Sequence, residues 1–197
     1  MVDTFNSIKA PSTGNFKEKG SKFFAFAFPV KNEAEIQAAM DGLRTKYHDA
    51  RHHCYAWRLG PEGVVYRAND DGEPSHSAGT PIYNEIRSRE LFDVLVVVIR
   101  YFGGTKLGIP GLIEAYGTSA AEALEDAEKV RIVLTEPVTI RFAYDQTSEV
   151  GRAIQKYSLK PVASDYGADC WQQFNVRLRD LEQVSNVFEE MGILTKE

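Results

Sequence analysis

The sequence predicts an α+β protein of two domains, and three observations lead to that prediction. Residues 94–99 are all apolar, without polar alternation, which is typical of a strand that is covered on both faces. Elsewhere, segments with the period-two pattern of strands are interspersed with segments of helical spacing. Beyond residue 134 the predicted order becomes strand, helix, strand, strand, helix. We therefore predict an N-terminal domain of residues 1–134 and a C-terminal domain of residues 135–197.

The first elements follow from alternation and from helix capping. Residues 1–15 are polar with Ser, Pro and Gly, which predicts a loosely held lead-in. Residues 22–30 alternate aromatic and small side chains and predict a strand. Asn32 is a suitable N-cap for a helix over residues 32–47, where apolar residues recur at helical spacing.

A hairpin and a short helix are predicted next. Residues 51–59 and 64–68 indicate two strands joined by a tight connection. His52 and His53 are adjacent in the first of these strands and point to opposite faces, so they cannot ligate one metal without distortion. The Thr-Pro pair at 80–81 is typical of a helix start and predicts a short helix to about residue 90.

A glycine-rich loop separates the apolar strand from a helix that is predicted to begin at Leu112. The loop contains the glycines Gly103, Gly104, Gly108 and Gly111. These residues permit positive φ or the close approach of a ligand. The start of a helix offers free N–H groups and partial positive charge, and Lys106 adds a full charge. The loop is therefore the best candidate for an anion site.

The loop does not match the common phosphate-binding motifs. Gly103 and Gly108 have the glycine spacing of a Walker A loop, but Ile109 and Pro110 stand where that motif needs Lys and then Ser or Thr. The G-x-G-x-x-G spacing of a dinucleotide site is absent as well. Spacing alone leaves two interpretations open, an anion site and a tight strand-to-helix connection that binds nothing.

An acidic turn precedes the short helix. Asp70, Asp71 and Glu73 could hold a hard cation such as magnesium, pair with Arg100 and Lys106, or lie solvated. No Cys/His ligand spacing of a metal site accompanies them. We therefore expect a structural or electrostatic role for this turn, and neither a metal nor a cofactor.

Charge limits the kinds of partner. The net charge of −5 argues against indiscriminate nucleic-acid binding, which depends on phosphate neutralisation. Any RNA contact should be a local basic patch, and an ordinary solvated basic face is the alternative interpretation. The candidates outside the loop are Lys9, Lys17, Lys19, Lys22, Lys31 and Arg51.

Cysteine usage and hydropathy indicate the compartment. Cys54 and Cys170 lie far apart in apolar, strand-like stretches and are expected to be buried thiols in a reducing environment. No apolar run approaches the roughly 20 residues that a membrane span needs. The first residues also lack the charged-then-apolar layout of a signal peptide. A cytoplasmic protein without a membrane partner is expected.

The C-terminal pattern predicts a second, smaller fold. Residues 138–144 alternate as a strand, and Asp145 is a candidate cap for the helix that follows. Residues 160–166 and 170–178 predict a hairpin, and Asp180 is a candidate cap for the last helix. This order corresponds to most of a ferredoxin-like plait, without a clear final strand. The C-terminal domain contains no cluster of polar residues typical of a catalytic or binding site, and we predict that it is an interaction module.

Three segments of the chain resemble the IMPACT family, close to its bacterial YigZ-like branch. They are Arg-Tyr-Phe-Gly-Gly-Thr-Lys-Leu-Gly at 100–108, Asp-Asp-Gly-Glu-Pro at 70–74 and His-His-Cys-Tyr-Ala at 52–56. The resemblance covers nearly the whole chain and includes His52 and Cys54 as motif positions. It implies an N-terminal domain like the second domain of a small-subunit ribosomal protein and domain IV of elongation factor G. It also implies a C-terminal plait like the last domain of that factor.

The resemblance also carries functional expectations. It implies that eukaryotic members regulate translation by opposing activation of a starvation-responsive initiation-factor kinase. They do so largely through an additional N-terminal domain that we do not expect in these residues, so that partner is not transferred. Bacterial members have no settled activity. The family commonly has glycine in place of Pro110 and a basic residue near Glu114, and both departures are expected to weaken an anion site.

Together these observations predict a cytoplasmic protein that binds RNA or the ribosome and regulates translation without chemistry of its own. Tyr101 or Phe102 could stack on a base. The residues predicted to bind nucleic acid or phosphate are Arg100, Tyr101, Gly103, Gly104, Lys106, Gly108 and Gly111, with Asp70, Asp71 and Glu73 orienting the cations. Two alternatives stay open: a magnesium-dependent phosphoester hydrolase that uses the acidic turn, and a sensor of a small phosphorylated ligand.

Overall fold

A computed structural model describes residues 3–167 and 169–195 of the chain. Their contacts form two compact units. The first unit is Phe5–Ile132, and the second joins residues 3 and 4 to the described residues from 133 onward. The sequence-based prediction placed Asp3 and Thr4 in the N-terminal domain and the boundary after residue 134. In the structure these two residues group with the second unit, and the boundary follows Ile132. No helix among the described residues is long and apolar enough to span a membrane.

The first unit is built on a five-stranded antiparallel sheet. In spatial order its strands are β2 (Ser12–Glu18), β3 (Ser21–Pro29), β6 (Val94–Tyr101), β4 (His52–Leu59) and β5 (Val65–Asn69). A separate two-stranded sheet pairs β1 (Thr4–Ile8) with β7 (Lys129–Val133). The helices are α1 (Glu33–Lys46), α2 (Gly79–Ser88) and α3 (Gly108–Glu125).

Helices cover both faces of this sheet, as the apolar run of β6 predicts. Val94, Val96 and Val98 belong to a core formed with α2 and α3. The intervening residues of β6 belong to a second core formed with α1. Because successive strand residues face opposite ways, only an unbroken apolar run can fill both cores. The prediction of a central strand is therefore confirmed.

The prediction of a loose lead-in over residues 1–15 is wrong for its described part, and Met1 and Val2 lie outside the described residues. β1 and most of β2 fall in this range. β2 is an edge strand, and Gly14 packs so closely on α3 that a Cβ there would lie 2.5 Å from the Ala123 nitrogen. An edge strand tolerates polar residues because one of its sides stays in water, so its composition resembles that of a loop.

Helix starts were the least accurate part of the sequence prediction. Asn32 caps α1 as expected, since its Oδ1 accepts a hydrogen bond from the Glu35 nitrogen at 2.9 Å. α2 begins at Gly79, so the Thr-Pro pair at 80–81 lies inside its first turn. α3 begins at Gly108 instead of Leu112. Local composition predicts the presence of a helix better than its first residue. The first residue depends on which groups, often from distant segments, bond to the free N–H groups of the first turn.

The second unit has the element order strand, helix, strand, strand, helix, strand. Its elements are β8 (Thr135–Phe142), a 3₁₀ turn (Tyr144–Gln146), α4 (Thr147–Lys156), β9 (Pro161–Tyr166), β10 (Cys170–Arg177), α5 (Leu178–Glu190) and β11 (Leu194–Thr195). The sheet is antiparallel, with the order β11-β8-β10-β9. The short final strand that the sequence did not predict is present and pairs Leu194 with Ile140.

The predicted caps of the second unit are wrong. Asp145 lies within the 3₁₀ turn, and Gln146 occupies the cap position of α4. Asp180 lies in the first turn of α5, and Arg177 occupies its cap position. Neither cap position provides a side-chain hydrogen bond. The apolar residues of these helices nevertheless pack on the sheet at the predicted spacing.

Candidate functional site

A cleft of about 750 Å³ lies in the first unit, where β6 ends and α3 begins. The α1–β4 connection, the acidic turn and the glycine-rich loop all contribute to its lining. Four of the predicted phosphate-binding residues line it: Arg100, Tyr101, Lys106 and Gly108. Glu73 and His52 line it as well, whereas Asp70, Asp71 and Cys54 do not.

The N-terminus of α3 opens into this cleft. Gly108 and Ile109 are the first two residues of this 18-residue helix, and both line the cleft. Leu107 occupies the cap position and provides no side-chain hydrogen bond. The free N–H groups of the first turn therefore keep the partial positive charge of the helix end. Gly108 has φ of +73°, a conformation that favours glycine.

Two exposed cations flank this helix end. Lys106 lies in the loop just before α3, and Arg51 lies just before β4. Both side chains are exposed and line the cleft. Neither makes an ion pair with any residue that the structure describes. Their charges are therefore available to a ligand. In the sequence, Arg51 is one basic residue among several, because nothing local links it to Lys106.

Arg100 has a different role from the one that the sequence suggested. Its side chain is only 7% exposed, and Nη1 donates a hydrogen bond to Glu73 Oε1 at 2.6 Å. Its Nε is buried and has no hydrogen-bond partner among the described residues. The guanidinium also lies over the rings of Phe23 and Phe102, at 5.6 and 5.5 Å from their centroids. Arg100 thus forms a fixed wall of the cleft, and Glu73 offsets much of its charge.

The acidic turn is a structural element. Asp70 Oδ1 accepts hydrogen bonds from the nitrogens of Ala78 (3.0 Å) and Gly79 (2.8 Å), and its Oδ2 accepts one from the His76 nitrogen (2.9 Å). Asp71 Oδ2 accepts a hydrogen bond from the His53 nitrogen at 2.6 Å. Asp70 therefore caps α2, and Asp71 joins the turn to β4.

These contacts correct the expectation that all three carboxylates orient the cations of the loop, and they also bear on the magnesium alternative. Only Glu73 orients a cation, Arg100, and none of the three carboxylates pairs with Lys106. The carboxylates of Asp70, Asp71 and Glu73 serve three separate sets of partners. Among the described residues no group of three His, Cys, Asp or Glu side chains is arranged to hold a metal. The hypothesis of a magnesium held by this turn is therefore not supported.

A buried polar chain continues inward from Glu73. The Tyr116 hydroxyl donates a hydrogen bond to Glu73 Oε1 at 2.8 Å. Cys54 Sγ lies 3.3 Å from that hydroxyl and 3.0 Å from the carbonyl oxygen of Asp70. Burial raises the pKa of the Cys54 thiol and of the Tyr116 hydroxyl well above their ordinary ranges. Both groups are therefore neutral near pH 7, and Cys54 is a poor nucleophile.

Sequence reasoning treated Tyr116 only as part of the packing face of α3. A signal was present, because a buried tyrosine usually finds a hydrogen-bond partner for its hydroxyl. Its partners, Glu73 and Cys54, lie 43 and 62 residues away along the chain. The sequence could not indicate which polar residues they would be.

The two histidines point to opposite faces of β4, as predicted. His52 lies beside Arg100 in the strand pairing and faces the cleft, where its Nδ1 is 2.9 Å from the Asp71 carbonyl oxygen. A carbonyl oxygen only accepts, so this contact assigns a proton to Nδ1. His53 pairs with Ile99 on the other face, and burial lowers its pKa. The histidines share no site.

Gly103 contributes close packing and no free amide. A Cβ at Gly103 would lie 1.9 Å from the Gly20 carbonyl carbon, and its N–H donates to Ser21 Oγ at 3.1 Å. Gly104 has φ of +89° and open space around it. A tight connection and a site that is open to ligands therefore coexist in this loop. Gly103 belongs to the first and Gly108 to the second.

The fold and the cleft define an α+β protein with a candidate anion site between its central strand and the following helix. Residues 19–124 match the model of the Impact N-terminal domain. The chain belongs to the IMPACT family.

Relatives and a solved structure agree with this assignment. The chain is 30% identical over 161 residues to the IMPACT family member YigZ of Escherichia coli. This match covers 81% of this chain and 79% of the relative. It is 37% identical over 124 residues to the family member YvyE of Bacillus subtilis. That match spans 63% of this chain and only 57% of the relative. The crystal structure of a hypothetical protein shares the fold, with a TM-score of 0.72, 25% identity and coverage of 100% and 99% of the two chains.

Proposed function

We propose that this protein is a cytoplasmic, non-enzymatic regulator of translation that binds RNA, free or in the ribosome, through the cleft at the start of α3. The observation that carries the proposal is the meeting of two unpaired exposed cations, Lys106 and Arg51, with an uncapped helix end. Each of these features attracts phosphate, and together they surround one concave space.

The local character of the charge supports a specific contact. The chain as a whole is acidic, with a net charge of −5. Glu73 offsets the buried charge of Arg100, whereas Lys106 and Arg51 keep theirs. An RNA would therefore be attracted to this cleft and repelled by much of the remaining surface. A binding role also fits the described residues of the cleft, which place no activated nucleophile beside a general base.

The role in translation rests on family membership. The resemblance implies that eukaryotic members regulate translation and that both domains have likenesses in the translation machinery. We propose that the second unit is a ferredoxin-like plait, which its element order and its strand order β11-β8-β10-β9 support. We likewise propose that the first unit resembles the second domain of a small-subunit ribosomal protein and domain IV of elongation factor G.

A sensor of a small phosphorylated ligand is the second candidate. The cleft volume of about 750 Å³ lies within the range of small-molecule sites. The same cations would then bind a single phosphate group instead of a polymer.

RNA binding across a salt series tests the proposal. Lys106→Glu should weaken binding and should lower the salt dependence of log K by roughly one phosphate contact, a slope change of about 0.7 for single strands. Lys129→Glu is the matched control, because Lys129 is exposed and lies in β7, which belongs to a different sheet from the one that carries the cleft. Co-sedimentation with ribosomes uses the same variants.

The parent and Lys129→Glu should bind RNA with equal affinity, and Lys106→Glu should bind it more weakly. Equal affinity of all three proteins would show that the cleft is not the contact. Binding of inorganic phosphate or nucleoside monophosphates by a protein that does not bind RNA would select the sensor instead.

A further inference from the structure

A second cleft adjoins the first one and has a different chemistry. It has a volume of about 530 Å³ and is lined by Gly20, Lys22, Phe24, Tyr47, Tyr101 and Phe102. Tyr101 and Phe102 line both clefts and form the wall between them. The first cleft presents cations and helix amides, whereas four of the six residues that line the second are aromatic.

Phe102 is an exposed aromatic side chain at a position where the backbone is held by close packing. It is 58% exposed, and the Arg100 guanidinium lies over its ring. The backbone that follows is fixed, because Gly103 packs directly on Gly20 and donates to Ser21 Oγ. The exposed surface of the Phe102 ring lines both clefts. The exposed part of the Phe102 side chain is not buried in the free protein, so a ligand that covers it would add stabilisation.

The other aromatic rings of the second cleft are held by their neighbours. The Tyr101 hydroxyl donates to Asp49 Oδ1 at 2.6 Å, and this hydrogen bond raises the pKa of Tyr101 to about 12. Phe24 packs edge-on against Tyr101 at 6.0 Å between ring centroids and is stacked with Tyr47 at 6.3 Å. The cleft is therefore preorganised for a flat, apolar group.

Lys22 adds a cation to the second cleft. It is exposed, pairs with Tyr101 across the β3–β6 ladder, and makes no ion pair with a described residue. Phosphate-binding groups thus lie on both sides of the Tyr101–Phe102 wall: Lys106 and Arg51 on one side, Lys22 on the other. A ligand that combines flat rings with several phosphates matches this arrangement.

We propose that the two clefts form one site for single-stranded RNA, in which phosphates occupy the first cleft and an unpaired base stacks on Phe102 in the second. This inference rests on the proposed function and names its substrate class. A base in a duplex is already stacked on both faces and its edges are paired, so it cannot reach an aromatic wall between two clefts. Single-strand sites commonly combine aromatic platforms with a cationic groove.

Fluorescence anisotropy of a short single-stranded RNA and of its duplex, with the full chain, tests this inference. Phe102→Leu removes the ring and keeps an apolar side chain. We expect it to weaken single-strand binding by roughly 5- to 100-fold and to leave the salt dependence unchanged, because stacking is lost and the phosphate contacts remain. Tyr144→Leu is the control, since Tyr144 is 77% exposed and lies in the second unit. Thermal unfolding of both variants should match the parent.

A fluorescent aminopurine base in the RNA provides a direct signature of stacking. Its emission should be quenched by the parent and by Tyr144→Leu, and not by Phe102→Leu. Unchanged affinity and quenching in Phe102→Leu would overturn the base site, whereas a weaker Lys106→Glu would still support the phosphate cleft.

Three further outcomes show whether the inference, the proposed function or both fail. A parent that prefers duplex RNA would overturn the inference and leave RNA binding intact. A parent that binds uridine monophosphate as tightly as the oligonucleotide would replace RNA by a free nucleotide as the occupant. A parent that binds no RNA would overturn both proposals.

Discussion

Arg100 donates a hydrogen bond to Glu73 across 2.6 Å, and both side chains are more than nine-tenths buried. This pair joins the central strand to the acidic turn at the mouth of the cleft. It explains why the most conspicuous cation of the glycine-rich segment is a structural wall, while the less conspicuous Lys106 and Arg51 remain available to a ligand.

Glu73→Ala should lower the free energy of unfolding by about 3–5 kcal/mol, because it leaves the buried charge of Arg100 without its partner. The double variant Glu73→Leu with Arg100→Met should recover most of that loss, since a buried ion pair can often be replaced by apolar residues. Urea unfolding measures both effects. Glu128→Ala is the control: it breaks an ion pair with Lys9 whose side chains are 60% and 66% exposed, and should change stability by less than about 1 kcal/mol. Equal losses in Glu73→Ala and Glu128→Ala would contradict the structural role of the buried pair.

Asp70→Ala should destabilise the start of α2, because the nitrogens of His76, Ala78 and Gly79 lose their shared acceptor. The expected loss is about 1.5–3 kcal/mol. Hydrogen exchange at these three amides should be faster in the variant than in the parent, and exchange in the remainder of α2 should change less. Asp70→Asn should lose less, since it keeps one acceptor oxygen. Glu62→Ala, at an exposed position in the β4–β5 turn, should leave both measurements unchanged. Persistent protection of the three amides in Asp70→Ala would argue against the cap.

Gly103→Ala should be strongly destabilising, because the new Cβ would lie 1.9 Å from the Gly20 carbonyl carbon and 2.1 Å from the Ser21 nitrogen. Gly104→Ala meets no atom within 4 Å and should cost only about 1–3 kcal/mol through its positive φ. Gly42→Ala, in α1 with open space around it, should instead stabilise the protein by about 0.5–1 kcal/mol. Thermal and urea unfolding rank the three variants. A Gly103→Ala protein as stable as the parent would be incompatible with the close approach to Gly20.

The free energy of unfolding should fall as pH rises above the ordinary thiol pKa of about 8.5, because Cys54 ionises in the unfolded chain and keeps its proton in the folded one. The folded-state pKa is raised, so this contribution is complete at lower pH and is lost on the alkaline side. The expected fall is about 2 kcal/mol between pH 7 and pH 10.

Cys54→Ser keeps a hydroxyl at this position but does not titrate, so it should remove most of that slope. Urea unfolding of both proteins at several pH values measures the difference. Equal slopes in the parent and Cys54→Ser would contradict the burial effect. Tyr101 and Tyr116 contribute only above the ordinary tyrosine pKa of about 10.

The sequence was most informative where one local pattern contained the whole answer. The apolar run of β6 must be buried on both faces whatever its neighbours are, so it was identified as the central strand. Asn32 caps α1 through an acceptor three residues from its donor, and such a contact is visible in a short window. β1 and β2 were missed because their sequences are polar. β1 becomes a strand by pairing with β7, far along the chain, whereas β2 pairs with the adjacent β3 as an edge strand.

The candidate site shows the same division at the level of single residues. The glycine-rich segment, its lysine and the following helix were predicted together, because they are consecutive in the chain, although α3 begins at Gly108 and not at Leu112. Arg51 joined them only through the fold, and Glu73 was assigned to Arg100 only by contact across 27 residues.

The amino-acid sequence by itself determined the central strand, all five helices and the position of the glycine-rich loop, and it placed the chain with the IMPACT family. Only the tertiary structure decided which charges are cancelled and which are left for a ligand. The reason is physical: the effective charge of a side chain depends on its burial and on partners from distant segments, and local patterns contain neither.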